Sequence, residues 1–123
     1  MRDNLPFLFK DPDEFGRQTF ALHIPKGIRS KDDLLLSYKQ VGRFPDYFGK
    51  NWDAFEELLR DFYWIEQPEI FIIHEDLPLR GNKDELRTYL EILRSVVSKN
   101  AARLRVYFPS DVRDELIRTL NEN

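Results

Sequence analysis

The sequence predicts a small α/β sandwich built on a parallel sheet, and three observations carry that prediction. Short β-leaning runs alternate with amphipathic helical patterns along the chain, the order that places a helix between successive parallel strands. One of these runs, residues 69–74 (EIFIIH), has a continuously apolar centre, as a strand buried on both faces does. The gaps between residues 17–24, 69–74 and 104–108 each contain a helical pattern, which parallel pairing of the three requires as crossovers. At 123 residues without cysteine, the chain is expected to be one domain whose core needs neither disulfide nor metal.

Residues 1–16 mix Pro, Asp and Phe without a steady period and read as a loosely structured leader, with residues 5–9 as a candidate short edge strand. Residues 17–24 (RQTFALHI) set Phe20, Leu22 and Ile24 on one face, which predicts the first main strand; Pro25 and Gly27 end it. Ser30, with Asp33 three positions on, reads as the capped start of a helix with Leu34, Leu35, Tyr38 and Val41 inward and Gly42 as its stop.

The next stretch, FPDYFGKNWDAFEELLRDF over residues 44–62, joins a Pro/Gly turn to a second amphipathic helix. Tyr47 and Phe48 read as an exposed aromatic pair, Gly49 as a positive-φ residue and Asn51 as the N-cap. At 100° per residue, Trp52, Phe55, Leu58, Leu59 and Phe62 form the apolar stripe. Asp53, Glu56, Glu57, Arg60 and Asp61 fall opposite.

After residues 69–74, a loop over 77–82 leads to the longest helix, residues 83–99, with Leu86, Tyr89, Leu90, Leu93, Val96 and Val97 inward. Residues 104–108 (LRVYF) form the last strand, stopped by Pro109. Ser110 is expected to cap an extra C-terminal helix over 111–122 that buries Val112, Leu116, Ile117 and Leu120. The core of the domain is thus about residues 17–108.

A charged outer stripe on a helix is ordinarily solvated surface. Here, however, residues 44–76 hold nine acidic and two basic side chains, a local net charge of −7, while the rest of the chain sums to +4. That asymmetry makes an acidic surface for a basic partner an equal contender. The overall charge of −3 argues against direct binding of nucleic acid. No apolar run approaches the ~20 residues of a membrane span, and the apolar patch at Leu5 to Phe9 is broken by Pro6, so the chain reads as soluble and cytoplasmic.

Nucleotide-binding and nucleophile motifs are absent, and no cofactor is predicted. The two histidines, His23 and His74, read as packed or strand-end residues rather than metal ligands. Asp53 and Glu57 could serve as an acid–base pair only in a concave, water-excluding site, which a convex helix face does not provide, so the chain is expected not to be an enzyme.

The run Pro45-Asp46-Tyr47-Phe48-Gly49-Lys50-Asn51-Trp52-Asp53-Ala54 resembles the signature of the barstar family of ribonuclease inhibitors, a P-[DE]-[YW]-[YF]-G-x-N-[LW]-D-A loop followed by an acidic helix. The order of elements is similar from about residue 17 to 108. The resemblance implies a barstar-like three-layer sandwich with a three-stranded parallel sheet flanked by helices, to which the leader (1–16) and the C-terminal helix are additions. It also implies that the loop and second helix plug the active site of a basic extracellular or toxin ribonuclease, with carboxylates standing in for RNA phosphates.

By position, Tyr47 would pack at the active-site mouth, Gly49 would allow close backbone approach and Asn51 would start the helix. Asp53 and Glu57 would be the key carboxylates, Glu57 being one methylene longer than the aspartate usual there. Glu56 and Arg60 complete the expected partner surface, Arg60 partly neutralising it. A further acidic contact of the family maps near Val96. The function implied is a cytoplasmic, immunity-type inhibitor, monomeric when free, of the kind found in toxin–antitoxin pairs; the alternative is a non-inhibitory protein-interaction module on the same fold.

Overall fold

The computed structural model describes residues 5–46, 48–49 and 51–122. Its elements in order are strand β1 (Phe7–Phe9), β2 (Thr19–Ile24), helix α1 (Lys31–Val41), α2 (Trp52–Asp61), β3 (Glu69–His74), α3 (Lys83–Lys99), β4 (Leu104–Phe108), a 3-10 turn (Ser110–Val112) and α4 (Arg113–Asn121). The sheet is parallel throughout, in the order β1-β4-β3-β2. The three-stranded core expected from the sequence is therefore present, with β2 pairing β3 from Thr19 opposite Glu69 to Ile24 opposite His74. β1 makes a fourth strand, pairing Phe7 to Phe9 with Val106 to Phe108.

Period-2 alternation divides the sheet residues between two faces. Phe20, Leu22, Ile24, Ile70, Ile72, Leu104, Val106 and Phe108 join the buried side chains of all four helices in one cluster. Phe71, Ile73 and Tyr107 form a second cluster, flanked by Leu8 and Ala21. Because β1 and β2 lie on opposite edges, residues 10–18 must recross the sheet, and Phe15 meets Phe71 edge-on at 5.4 Å. Residues 10–18 thus form a strap over the sheet face that the helices leave open.

The cap of α1 is as read from sequence, Ser30 Oγ accepting from the Asp33 N–H at 3.1 Å. Gly42 ends the helix for a different reason from the one a stop glycine usually has. Its φ is −94°, but a Cβ there would lie 2.7 Å from the Tyr38 carbonyl oxygen and 2.8 Å from Leu22 Cδ2. The left-handed residue is Arg43, at φ 56°, its guanidinium 5.3 Å from the Phe20 ring. Ser110 does not cap the closing helix. It begins the 3-10 turn, and its carbonyl accepts from the Arg113 N–H, so backbone satisfies that donor where a side-chain cap was expected. Arg87 of α3 then ties α4 down through the carbonyls of Thr119 and Glu122.

Candidate functional site

Asn51 starts α2 in extended conformation (φ −125°, ψ 160°), and its Oδ1 accepts from the Ala54 N–H at 2.8 Å. That bond satisfies one of the four orphan donors of the first turn, and Asp53 sits beside the positive end of the helix dipole. One side of the helix is core: Phe55, Leu58 and Leu59 are buried, each contributing roughly 1.5–3 kcal/mol by leaving water. Trp52 is half-buried, donating Nε1–H to Glu85 Oε1 at 3.3 Å, with its ring near those of Phe55 and Tyr89.

The other side carries the expected residues together. Asp53, Glu57, Arg60 and Asp61 are exposed, and Glu56 is half-buried and paired with Arg60 at 3.6 Å. Among the described residues Asp53 and Glu57 have no ion-pair partner. One turn of helix, about 6 Å of axis, separates them.

Several expectations about the loop change. Gly49 is exposed and does not take a positive φ; the nearest atom a Cβ would meet is Asn51 Nδ2, at 3.3 Å. Here the extended Asn51, rather than a left-handed glycine, supplies the change of direction into the helix. Phe48 is buried, not exposed, its ring 5.1 Å from that of Phe44. Tyr47 lies outside the described residues. Val96, near which a further acidic contact was expected, is buried in the core and presents nothing to a partner.

The acidic window also divides. Glu69, at the start of β3, accepts from the Thr19 hydroxyl at 2.8 Å. Glu75 and Asp76 lie past the other end of the strand, where Arg80 bridges Asp76 and Glu115. The six-residue strand separates these ends by about 20 Å, so the charge surplus is not one face. The α2 carboxylates are its compact part.

Two supports of the site had no local sign in the sequence. At its exit, α2 ends on Phe62 in the left-handed region (φ 45°, ψ 47°), fully buried. The Arg103 guanidinium, reaching from just before β4, donates to the carbonyls of Asp61, Phe62, Ile65 and Gln67. It thereby neutralises the negative end of α2 and fixes the following turn.

Beneath the entry, Tyr38 packs edge-on to both Phe44 and Phe55 and belongs to a buried polar chain. His74 Nδ1 lies 2.9 Å from the Tyr107 carbonyl, which can only accept, so Nδ1 carries a proton. Burial pushes the His74 imidazole down to about 4, against a smaller upward pull from that carbonyl, so Nε2 is bare near neutrality. Nε2 then accepts from Tyr89 Oη–H at 2.7 Å, and Tyr89 Oη in turn accepts from Tyr38 Oη–H at 2.6 Å. Burial also holds the Tyr38 and Tyr89 hydroxyls above the usual phenol range. With both ring nitrogens engaged, His74 serves packing and not ligation. His23 is exposed on β2.

Among the described residues no three His, Asp or Glu side chains cluster as a metal site would need, and no helix is long and apolar enough to cross a membrane. Comparison with curated proteins returns no match. The family model described as "Barstar (barnase inhibitor)" matches residues 18–109, a span that holds the whole loop, α2 and its supports and leaves β1, most of the strap and α4 outside. On that match, which covers most of its length, the chain belongs to the barstar family.

Proposed function

We propose that this protein is an inhibitor of a basic ribonuclease, of the immunity type, acting in the cytoplasm as a monomer that the enzyme captures one to one. The observation that carries the reading is the outer side of α2. Asp53 and Glu57 stand exposed, without cationic partners among the described residues, on a helix whose other side is buried. Such carboxylates lose water readily only where a partner's cations replace it, as at an enzyme site built for phosphates. Asn51 sets the helix direction, Gly49 keeps the approach free of side chain, Tyr47 adds an aromatic contact at the site mouth, and Glu56 and Arg60 flank the pair. The protein itself carries out no catalysis and needs no cofactor. Residues 18–109 serve as the inhibitor unit, with β1, the strap and α4 built onto it as part of the same domain.

The test uses barnase. The protein should suppress RNA cleavage at one equivalent, and Asp53→Ala or Glu57→Ala should each weaken binding by about 2–5 kcal/mol. That is the range for truncating one partner of a desolvated charge pair, the barnase–barstar interface itself among the cases that define it. Thermal melts should show Glu57→Ala as stable as the parent, since the site is exposed and away from a cap. Two variants that inhibit like the parent would end this reading. A second reading, a non-inhibitory interaction module, draws on the Glu56–Arg60 pair, which withdraws one carboxylate from the face. Undiminished RNA cleavage by barnase with the protein bound would favour it.

A further inference from the structure

Asp53, Glu57 and Asp61 occupy positions i, i+4 and i+8 of α2, all exposed, so the carboxylates form a column along the helix with about 6 Å of axis between neighbours. The column stops where the helix stops. Tyr63 follows at once, 60% exposed, the most exposed large hydrophobic side chain among the described residues. Its N–H donates to Asp61 Oδ1 at 3.1 Å, so the ring and the carboxylate leave one turn together.

That turn is held from several sides. Arg103 donates to four of its carbonyls. Trp64, which the Tyr63 ring meets edge-on at 5.2 Å, is anchored by Nε1–H to the Gly42 carbonyl at 2.9 Å and by the rings of Phe44 and Phe62. A large exposed ring on so constrained a turn has little freedom left to lose on binding, which is the property of an aromatic anchor.

We propose that Asp61 and Tyr63 form a clasp for an arginine of the partner ribonuclease, outside its phosphate sites, extending the interface beyond the C-terminal end of α2. The proposal rests on the ribonuclease reading above. A guanidinium takes a carboxylate in its plane and an aromatic ring against its face, whereas an ammonium makes no such stack. Asp61 spends Oδ1 on the Tyr63 N–H and, among the described residues, keeps Oδ2 for a partner. The clasp also continues the charge complementarity that Asp53 and Glu57 begin, so a basic enzyme meets it without a change of sign.

Titration calorimetry against barnase tests it with Tyr63→Ala, Tyr63→Phe and Asp61→Asn, and with Glu57→Ala as the control on the face already proposed. Tyr63→Ala and Asp61→Asn should each weaken binding about tenfold, and Tyr63→Phe, which keeps the ring, by less than about threefold. The double variant should lose less than the product of the singles, because both groups hold one guanidinium. Thermal melts verify that each variant is folded. If Glu57→Ala weakens binding while Tyr63→Ala binds within about twofold of the parent, the clasp is wrong and the α2 face stands. If Glu57→Ala also binds barnase like the parent, the α2 reading fails and the clasp with it.

Discussion

The turn into α2 and the turn out of it are held by opposite means. Entry is capped locally, the Asn51 side chain accepting from the Ala54 N–H and Phe44 packing on Phe48 within five residues, with the Trp52–Glu85 bond and the Tyr38 chain as its remote support. Exit is remote: Arg103 reaches back some forty residues in sequence to four carbonyls, and a buried left-handed phenylalanine takes the place a glycine would ordinarily hold. An acidic helix face is useful to a partner only if both ends are fixed. The end with the recognisable motif is the one held by the fewest long-range bonds.

Acid should break the entry first. In the fold the His74 imidazole is pushed down to about 4 from the ordinary 6.5, because burial disfavours its charged form. Below pH 6.5 the unfolded chain binds a proton that the folded chain refuses until about pH 4. The stability that this group contributes is therefore complete above 6.5 and lost as pH falls toward 4. Unfolding free energy from urea melts should drop by roughly 1.4 kcal/mol per pH unit through that window, about 3 kcal/mol in all. In His74→Gln, whose amide can donate to the Tyr107 carbonyl and accept from Tyr89, that slope should vanish. An unchanged slope would mean that the chain under Phe44 and Phe55 does not set the acid limb.

Next in size is the exit. Arg103→Met keeps an apolar stem and removes the charged fork, leaving the carbonyls of Asp61, Phe62, Ile65 and Gln67 to water. A loss of about 2 kcal/mol in urea melts is expected. It should exceed the loss from Asn51→Ala, about 1 kcal/mol for a helix cap. The reverse order would show that the local cap, not the remote arginine, governs α2.

The same contrast explains what was legible in the sequence. Strands over residues 69–74 and 104–108 and the helix over 83–99 stand where periodicity places them, because burial on one or two faces is written into neighbouring residues. The N-caps Ser30 and Asn51 were legible for the same reason, and the loop motif pointed to the family that the residues 18–109 match supports. Arg103 was not legible, since an arginine before a strand looks like any other surface cation. Neither was the division of the acidic residues, because a linear window cannot tell that β3 carries Glu69 and Glu75 to opposite ends of the sheet. The strap over Phe71 likewise depends on a contact across the fold, that of Phe15.

The smallest expected effect concerns Gly49, where the signature glycine suggested a left-handed turn that the structure does not contain. If φ there were positive, alanine would be strained by about 1 kcal/mol or more. Without a positive φ, alanine meets, among the described residues, Asn51 Nδ2 at 3.3 Å, a tight contact that the capping amide must relieve by a few tenths of an ångström, and this cost is offset by the lower entropy of the unfolded chain. Gly49→Ala should therefore move stability by less than about 0.5 kcal/mol in either direction. Its binding to barnase should nevertheless weaken, because the exposed backbone at residue 49 is where a partner surface would approach next to the helix start. Melts and calorimetry on this one variant separate the two roles of the glycine. A large loss of stability would restore the left-handed turn, and unchanged binding would move the interface away from the entry and toward Asp61 and Tyr63.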